Sequence, residues 1–189
     1  MSDTALYSTP ALDGYRAETD GVLGEELTRL AVVSIATPHG GDKALAEAFQ
    51  KSFGADVPET GRLTVSKDGK IRFLGMAPGQ VFAVFNHDGP DAEPRLAEQL
   101  SDTGYTTDQT DVWVALRVAG DHITAVLERI CPLDLHESAF PADRCARTVM
   151  EHMAAIILRD GEDGFVLLTA RSSARSFLHA VEVSVENVL

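Results

Sequence analysis

Cysteine, tryptophan and basic residues are scarce in this chain, whose 189 residues include 2 Cys, 1 Trp and 16 Lys+Arg against 29 Asp+Glu. Two thiols, Cys131 and Cys145, are too few for a disulfide scaffold and lack the paired spacing of a structural zinc site. The net charge of −13 opposes nucleic acid, because binding a phosphate backbone depends on Lys and Arg displacing condensed counterions. No run of basic residues offsets it. The longest apolar run, residues 153–158, falls far short of the roughly 20 residues that span a bilayer. Met1-Ser2-Asp3-Thr4 opens with neither the basic region nor the apolar stretch of an export signal. The expectation is a cytoplasmic chain that binds neither nucleic acid nor membrane.

What is present is ordinary for a globular protein, with 44% hydrophobic and 24% charged residues. Residues 1–28 carry six acids (Asp3, Asp13, Glu18, Asp20, Glu25, Glu26) against Arg16, and glycines break any apolar period. They read as an acidic, extended or flexible arm, either a solvated tail or a segment that lies along a partner. Residues 29–189 read as one domain.

Within that domain Leu30–Ala36 is a β-branched run, and Leu45, Ala48, Phe49 and Phe53 form a helical stripe behind Asp42 as a candidate N-cap. Leu63 and Val65 alternate with polar residues up to Lys67-Asp68-Gly69-Lys70, a hairpin-turn signal. Strands follow at Ile71–Leu74 and Val81–Phe85, then a short helix through Leu96 and Leu100, then a strand at Tyr105–Thr107. Val112, Val114, Leu116 and Val118 line one face of a further strand, and Ile123, Val126, Leu127 and Ile130 one face of a helix. Residues 146–158 fit a helix by spacing and a long strand by β-branching. Phe165–Thr169 is a strand, and Ser172 or Ser173 caps a last helix through Phe177, Leu178, Val181 and Val185. The order of elements predicts α+β: two split βαβ-like halves, with antiparallel sheets covered by helices.

Residue patterns that carry chemistry are few. No two glycines stand two apart, which excludes the G-x-G-x-x-G dinucleotide fingerprint, and Gly69-Lys70 runs into Ile71 rather than Ser or Thr. His136-Glu137 begins like a zinc-protease helix, but Phe140 occupies the position of the second histidine. The six histidines are scattered, and no serine or cysteine sits in a nucleophile elbow. Thr37-Pro38-His39-Gly40-Gly41-Asp42 reads as an anion-binding loop or, with Asp42 capping, as plain structure. No catalytic, cofactor-binding or metal-ligating residue is therefore assigned. Asp134 between two leucines is a turn acceptor or a partner contact. Arg171 and Arg175 stand four apart at a helix start, where cations oppose the dipole: they are solvated surface with Ser172 capping, or contacts that an acidic partner would favour. With Leu135 and Phe140 these make the candidate partner interface: Asp134, Leu135, Phe140, Arg171 and Arg175.

Several short segments in fixed order then become informative together. They are Val118-Ala119-Gly120-Asp121, Pro132-Leu133-Asp134-Leu135 with Phe140, Ala146-Arg147-Thr148, and Phe165–Ala170 followed by Arg171-Ser172-Ser173-Ala174. Over residues 71–189 the chain resembles the gamma subunits of heterotetrameric sarcosine oxidases. The resemblance implies a fold similar to the folate-binding domain of the glycine-cleavage T-protein, an aminomethyltransferase, and resolves residues 146–158 towards strand. It implies a non-catalytic subunit that supports assembly by packing on the large alpha subunit, with beta and delta subunits in the same complex. The implied reaction is oxidative demethylation of sarcosine to glycine, with formation of hydrogen peroxide and transfer of the one-carbon unit to tetrahydrofolate. FAD, FMN, NAD, tetrahydrofolate and zinc are expected on other subunits and none on this chain. Two alternatives stay open: a free-standing folate-binding one-carbon-transfer protein, and the gamma subunit of a related N-methyl amino acid oxidase or dehydrogenase.

Overall fold

The computed structural model describes residues 9–189, so residues 1–8 of the predicted arm lie outside the described residues. In the rest of that stretch residues 11–14 form a turn, and the strands that follow are paired rather than free. β1 (Arg16–Thr19) and β2 (Val22–Glu26) form an antiparallel hairpin, and β2 pairs with β8 (Trp113–Ala119). Val22 is buried, as is Leu12 just before the hairpin; Glu18 is exposed, Glu25 forms ion pairs, and Glu26 accepts the backbone N–H groups of Leu12 and Gly14. That explains why the stretch looks like a tail in sequence: its polar surface is that of a short edge hairpin.

The α+β reading holds. Sheet one runs β1-β2-β8-β11-β10-β9, where β9 is Cys145–Met150, β10 is Met153–Arg159 and β11 is Gly164–Ala170. Sheet two runs β4-β5-β6-β3-β7, from β3 (Leu30–Ala36), β4 (Leu63–Val65), β5 (Ile71–Ala77), β6 (Gln80–Asn86) and β7 (Tyr105–Asp108). Every pairing is antiparallel. α1 (Asp42–Phe53) and α2 (Ala92–Leu100) cover the outer face of sheet two, and α3 (Ile123–Glu128) and α4 (Ala174–Glu186) that of sheet one.

Alternation along the strands creates the layers. On β3, Ala31, Val33 and Ile35 face α1 and α2, while Val32 faces the other sheet. On β11, Phe165 and Leu167 face α3 and α4, while Val166 and Leu168 face inward against Leu74, Phe82 and Val84. The result is four layers, helix–sheet–sheet–helix, with three apolar interfaces. Strands buried on both faces explain the continuous apolar runs in the sequence.

Local details refine the reading. Residues 146–158 are not one long strand but the β9–β10 hairpin, turning at Glu151 and His152, both at positive φ (43° and 66°). A two-residue turn of this kind usually uses Asn and Gly, so the sequence carries no signal for it. Asp42 begins α1 inside its first turn, with Gly41 at the N-cap position and no side-chain cap bond. Ser173 holds the N-cap position of α4, again without a side-chain bond, after a 3-10 turn over Arg171–Ser173. The Asp68-Gly69 turn forms as read: Gly69 has φ 75°, and Asp68 accepts from Ser66 Oγ at 2.7 Å and from the Lys70 amide at 3.1 Å.

Candidate functional site

The five residues singled out from the sequence fall into three environments. Leu135 and Phe140 are spent on the chain's own core, at 0% and 5% exposure, facing Phe165 and the α3–α4 layer. Their backbone is pinned by the guanidinium of Arg159, itself 8% exposed. Its Nη2 donates to the Leu135 carbonyl at 2.6 Å, Nε to the Phe140 carbonyl at 2.8 Å and Nη1 to the Glu162 carbonyl at 3.0 Å. The guanidinium also stacks 4.7 Å from the Phe165 ring centroid. Burying a cation is costly unless its donors are satisfied, and here carbonyls and a π-face take that role in place of a carboxylate.

Asp134 stays exposed, and its carboxylate accepts the backbone N–H of His136 at 3.0 Å, a local turn contact. Arg171 and Arg175 act together on one segment near the N-terminus. Arg171 Nη2 donates to the Thr9 carbonyl, and Arg175 Nη2 pairs with Asp13 Oδ2 at 3.0 Å, with both side chains of the pair about 80% exposed. An exposed pair of this kind contributes little to stability. The structure thus brings the two arginines together, and Leu135 with Phe140, but does not assemble the five into one face.

Titratable groups are mostly structural. Burial pushes the Cys145 thiol up to about 11, between the two sheets, and raises Cys131 as well, so neither is poised as a thiolate nucleophile. Tyr15 is pushed up to about 12, first by burial and then by the neighbouring Glu182 carboxylate. His87 and Arg95 both bond Asp91, at 2.6 Å each, which holds that carboxyl below the usual range. Among the described residues, no three His, Cys, Asp or Glu side chains converge to hold a metal ion. No helix among them is long and apolar enough to cross a membrane.

At one end of the inter-sheet core, Asp160 is shared by Arg72 Nη1 at 2.9 Å and Arg117 Nε at 2.7 Å, and Arg117 also reaches Glu25 at 3.7 Å. This cluster ties β5 of sheet two to β8 and the end of β10 in sheet one. It is a structural clamp.

Among the described residues, three concavities stand out. An open groove of about 1000 Å³ runs between the end of α1, the turn after β4 and α2. Lys51, Lys67, Lys70 and Arg95 border it, and sequence reading missed it because those residues never form a run. A more apolar groove of about 560 Å³ lies between α3, α4 and the β9–β10 turn, lined by Ile130, Met153, Ala180 and Val183. A pocket of about 150 Å³ separates the β1–β2 hairpin from α4 beside Tyr15.

Comparison with known proteins bears on the whole chain rather than on one of these places. Residues 36–186 match the family described as "Sarcosine oxidase, gamma subunit family". A "Sarcosine oxidase subunit gamma" from Corynebacterium sp. (strain P-1) is 26% identical over 141 residues, covering 74% of this chain and 67% of that protein. Among solved structures, a chain of the heterotetrameric sarcosine oxidase from Corynebacterium sp. U-96, in complex with pyrrole 2-carboxylate, superposes with a TM-score of 0.78. Identity there is 20%, and 95% of each chain is covered. The glycine cleavage system aminomethyltransferase T from Bartonella henselae superposes with a TM-score of 0.56 at 16% identity, over 82% of this chain and 44% of that one. Both superpositions concern the fold.

Proposed function

The chain belongs to the sarcosine oxidase gamma subunit family, and from that membership we propose that it serves as the non-catalytic gamma subunit of a heterotetrameric sarcosine oxidase. The observation that carries the reading is the family match over residues 36–186, supported by a superposition that leaves only 5% of either chain uncovered. In this reading the assembly oxidatively demethylates sarcosine to glycine, forms hydrogen peroxide and passes the one-carbon unit to tetrahydrofolate. FAD, FMN, NAD, tetrahydrofolate and zinc belong to its other subunits. This chain packs on the large alpha subunit, beside beta and delta subunits, in the cytoplasm.

Stable association of that kind hides about 800 Å² per partner. Of the five sequence-derived candidates, Asp134, Arg171 and Arg175 keep surface to offer, while Leu135 and Phe140 do not. Arg171 and Arg175 border Thr9 and Asp13, so the acidic N-terminal stretch approaches a partner on their side together with them. The body formed by residues 29–189, with the β1–β2 hairpin completing its first sheet, is the unit that docks.

The test is co-expression with the neighbouring reading frames, followed by measurement of size, flavin content and sarcosine-dependent peroxide. The expected result is a flavin-containing complex that includes this chain and loses stability without it. A complex that is equally active and stable in its absence removes the assembly role. Assaying other N-methyl amino acids on the same complex separates sarcosine oxidase from a related oxidase or dehydrogenase. The likeness to aminomethyltransferase T supports a second reading, a free-standing folate-binding protein. Tetrahydrofolate binding by the isolated chain, measured by calorimetry, decides between them.

A further inference from the structure

The groove between α1, the β4–β5 turn and α2 is out of character with the rest of the molecule. The chain carries 16 basic against 29 acidic residues, yet this groove is bordered by Lys51, Lys67, Lys70 and Arg95 against one carboxylate, Asp68. Asp68 is already engaged, by Ser66 Oγ at 2.7 Å, the Lys70 amide at 3.1 Å and Lys70 Nζ at 3.7 Å. Arg95 is held by Asp91 at 2.6 Å. Lys51 and Lys67 have no carboxylate within ion-pair distance among the described residues.

The floor of the groove is apolar and incompletely covered. Ile71 and Phe85 stand opposite each other on β5 and β6, facing the helix side of sheet two. Phe53 and Leu96, from the two helices, are buried, but Ile71 and Phe85 are only half-buried where the helices diverge. At about 1000 Å³ the groove is at the top of the range for small-molecule pockets and open along its length, which suits a length of chain better than an enclosed ligand.

We propose that this groove docks an acidic segment of a partner subunit, with an apolar side chain seated over Ile71 and Phe85 and flanking Asp or Glu residues facing Lys51, Lys67 and Lys70. Charge complementarity selects this occupant. A partner segment rich in carboxylates is repelled by most of a surface with net charge −13 and attracted here, which fixes where it binds as well as how fast. The proposal rests on the subunit reading above and adds a surface and a chemistry to it. The surface is on the α1–α2 side, across both sheets from Arg171 and Arg175.

The test uses the full chain co-expressed with the other oxidase subunits. Zero-length carbodiimide cross-linking of the purified wild-type complex should join Lys51, Lys67 or Lys70 to Asp or Glu residues of one partner segment, read by mass spectrometry. The triple reversal K51E/K67E/K70E, all at exposed positions, should weaken association at least tenfold at low salt, and the difference should shrink in 1 M salt. Unchanged association at low salt, with no carboxylate cross-link to these lysines, overturns the groove proposal while leaving the subunit reading standing. If the wild-type chain co-purifies with no oxidase subunit, both fall.

Discussion

The two helix-on-sheet halves share a plan and differ in how they are closed. The half built on sheet two is continuous in sequence, from Leu30 to Asp108, and its helix α1 is anchored by a cluster of three phenylalanines. Phe49 and Phe53 on α1 and Phe73 on β5 stand with ring centroids 4.7–5.4 Å apart. The half built on sheet one needs both ends of the chain: β1 and β2 from the start, β8 to β11 and α4 from the second half. Its helix layer mixes aliphatic side chains with Phe140, Phe165 and Phe177, and Arg159 holds a long connection in place by three carbonyls. The self-contained half adds to its packing only part-exposed ties, such as Ser52 Oγ to the Gln99 carbonyl and Thr106 to Glu93. A half assembled from distant segments needs polar anchors at the joins.

The largest way to break this contrast is to remove the contribution of the N-terminal stretch. Deleting residues 1–28 strips β2 from β8 and exposes a seven-residue apolar strand as a new edge. Loss of the buried Leu12 and Val22 alone costs about 4 kcal/mol. The expected outcome is aggregation by light scattering, and in the soluble fraction faster amide exchange in β8 and β11 than in β3 and β6. Equal exchange in the two sheets would mean that the halves unfold as one.

Phe49→Ala attacks the self-contained half, opening a hole among three rings, and should cost about 4 kcal/mol in denaturant titration. Arg159→Leu attacks the join. It leaves the carbonyls of Leu135, Phe140 and Glu162 without this donor, for an expected loss of about 3 kcal/mol, with protection lost first across residues 133–140. If Arg159→Leu were neutral, the buried cation would be a tolerated accident rather than an anchor.

The smallest effect concerns the interface between the halves. Cys145 sits there with its thiol pushed from 9.0 up to about 11 by burial. The unfolded chain releases this proton first as pH rises, so the thiol's contribution is intact below pH 9 and is lost between pH 9 and about 11. The slope is at most about 1.4 kcal/mol per pH unit. Cys145→Ala should flatten the onset of alkaline unfolding in that window. Tyr15, raised from 10.0 to about 12, acts later and independently.

Legibility in the sequence follows the same divide. The α1 stripe, the Asp68-Gly69 turn and the strand through Val81–Phe85 were readable because periodicity and turn chemistry are local. The β1–β2 hairpin was not, since strands reading RAET and VLGEE derive their order from β8, some ninety positions away. The β9–β10 turn was hidden because Glu151 and His152 adopt a conformation that their side chains do not advertise. Leu135 and Phe140, which read from the sequence as candidate partner contacts, lie in the chain's own core, because Arg159, some twenty positions away, folds their connection back. Lys51, Lys67, Lys70 and Arg95 become neighbours only through the folding of α1 and α2 onto sheet two.

One corner of the sandwich joins the two sheets through the backbone itself. Leu63 donates to the Asp143 carbonyl at 2.8 Å, Cys145 to the Gly61 carbonyl at 3.3 Å, and Arg62 forms a β-bridge with Arg144. Gly75 lies under this corner, where a Cβ would stand 1.9 Å from the Glu59 carbonyl oxygen, so nothing larger fits. The sheets are therefore bound along a spine, like the boards of a book, and cannot slide past each other without tearing main-chain bonds. The two helical faces are held at a set separation, with stacked sheets about 10 Å apart between them. The chain is thus built as a gauge block, a body whose thickness its own backbone fixes.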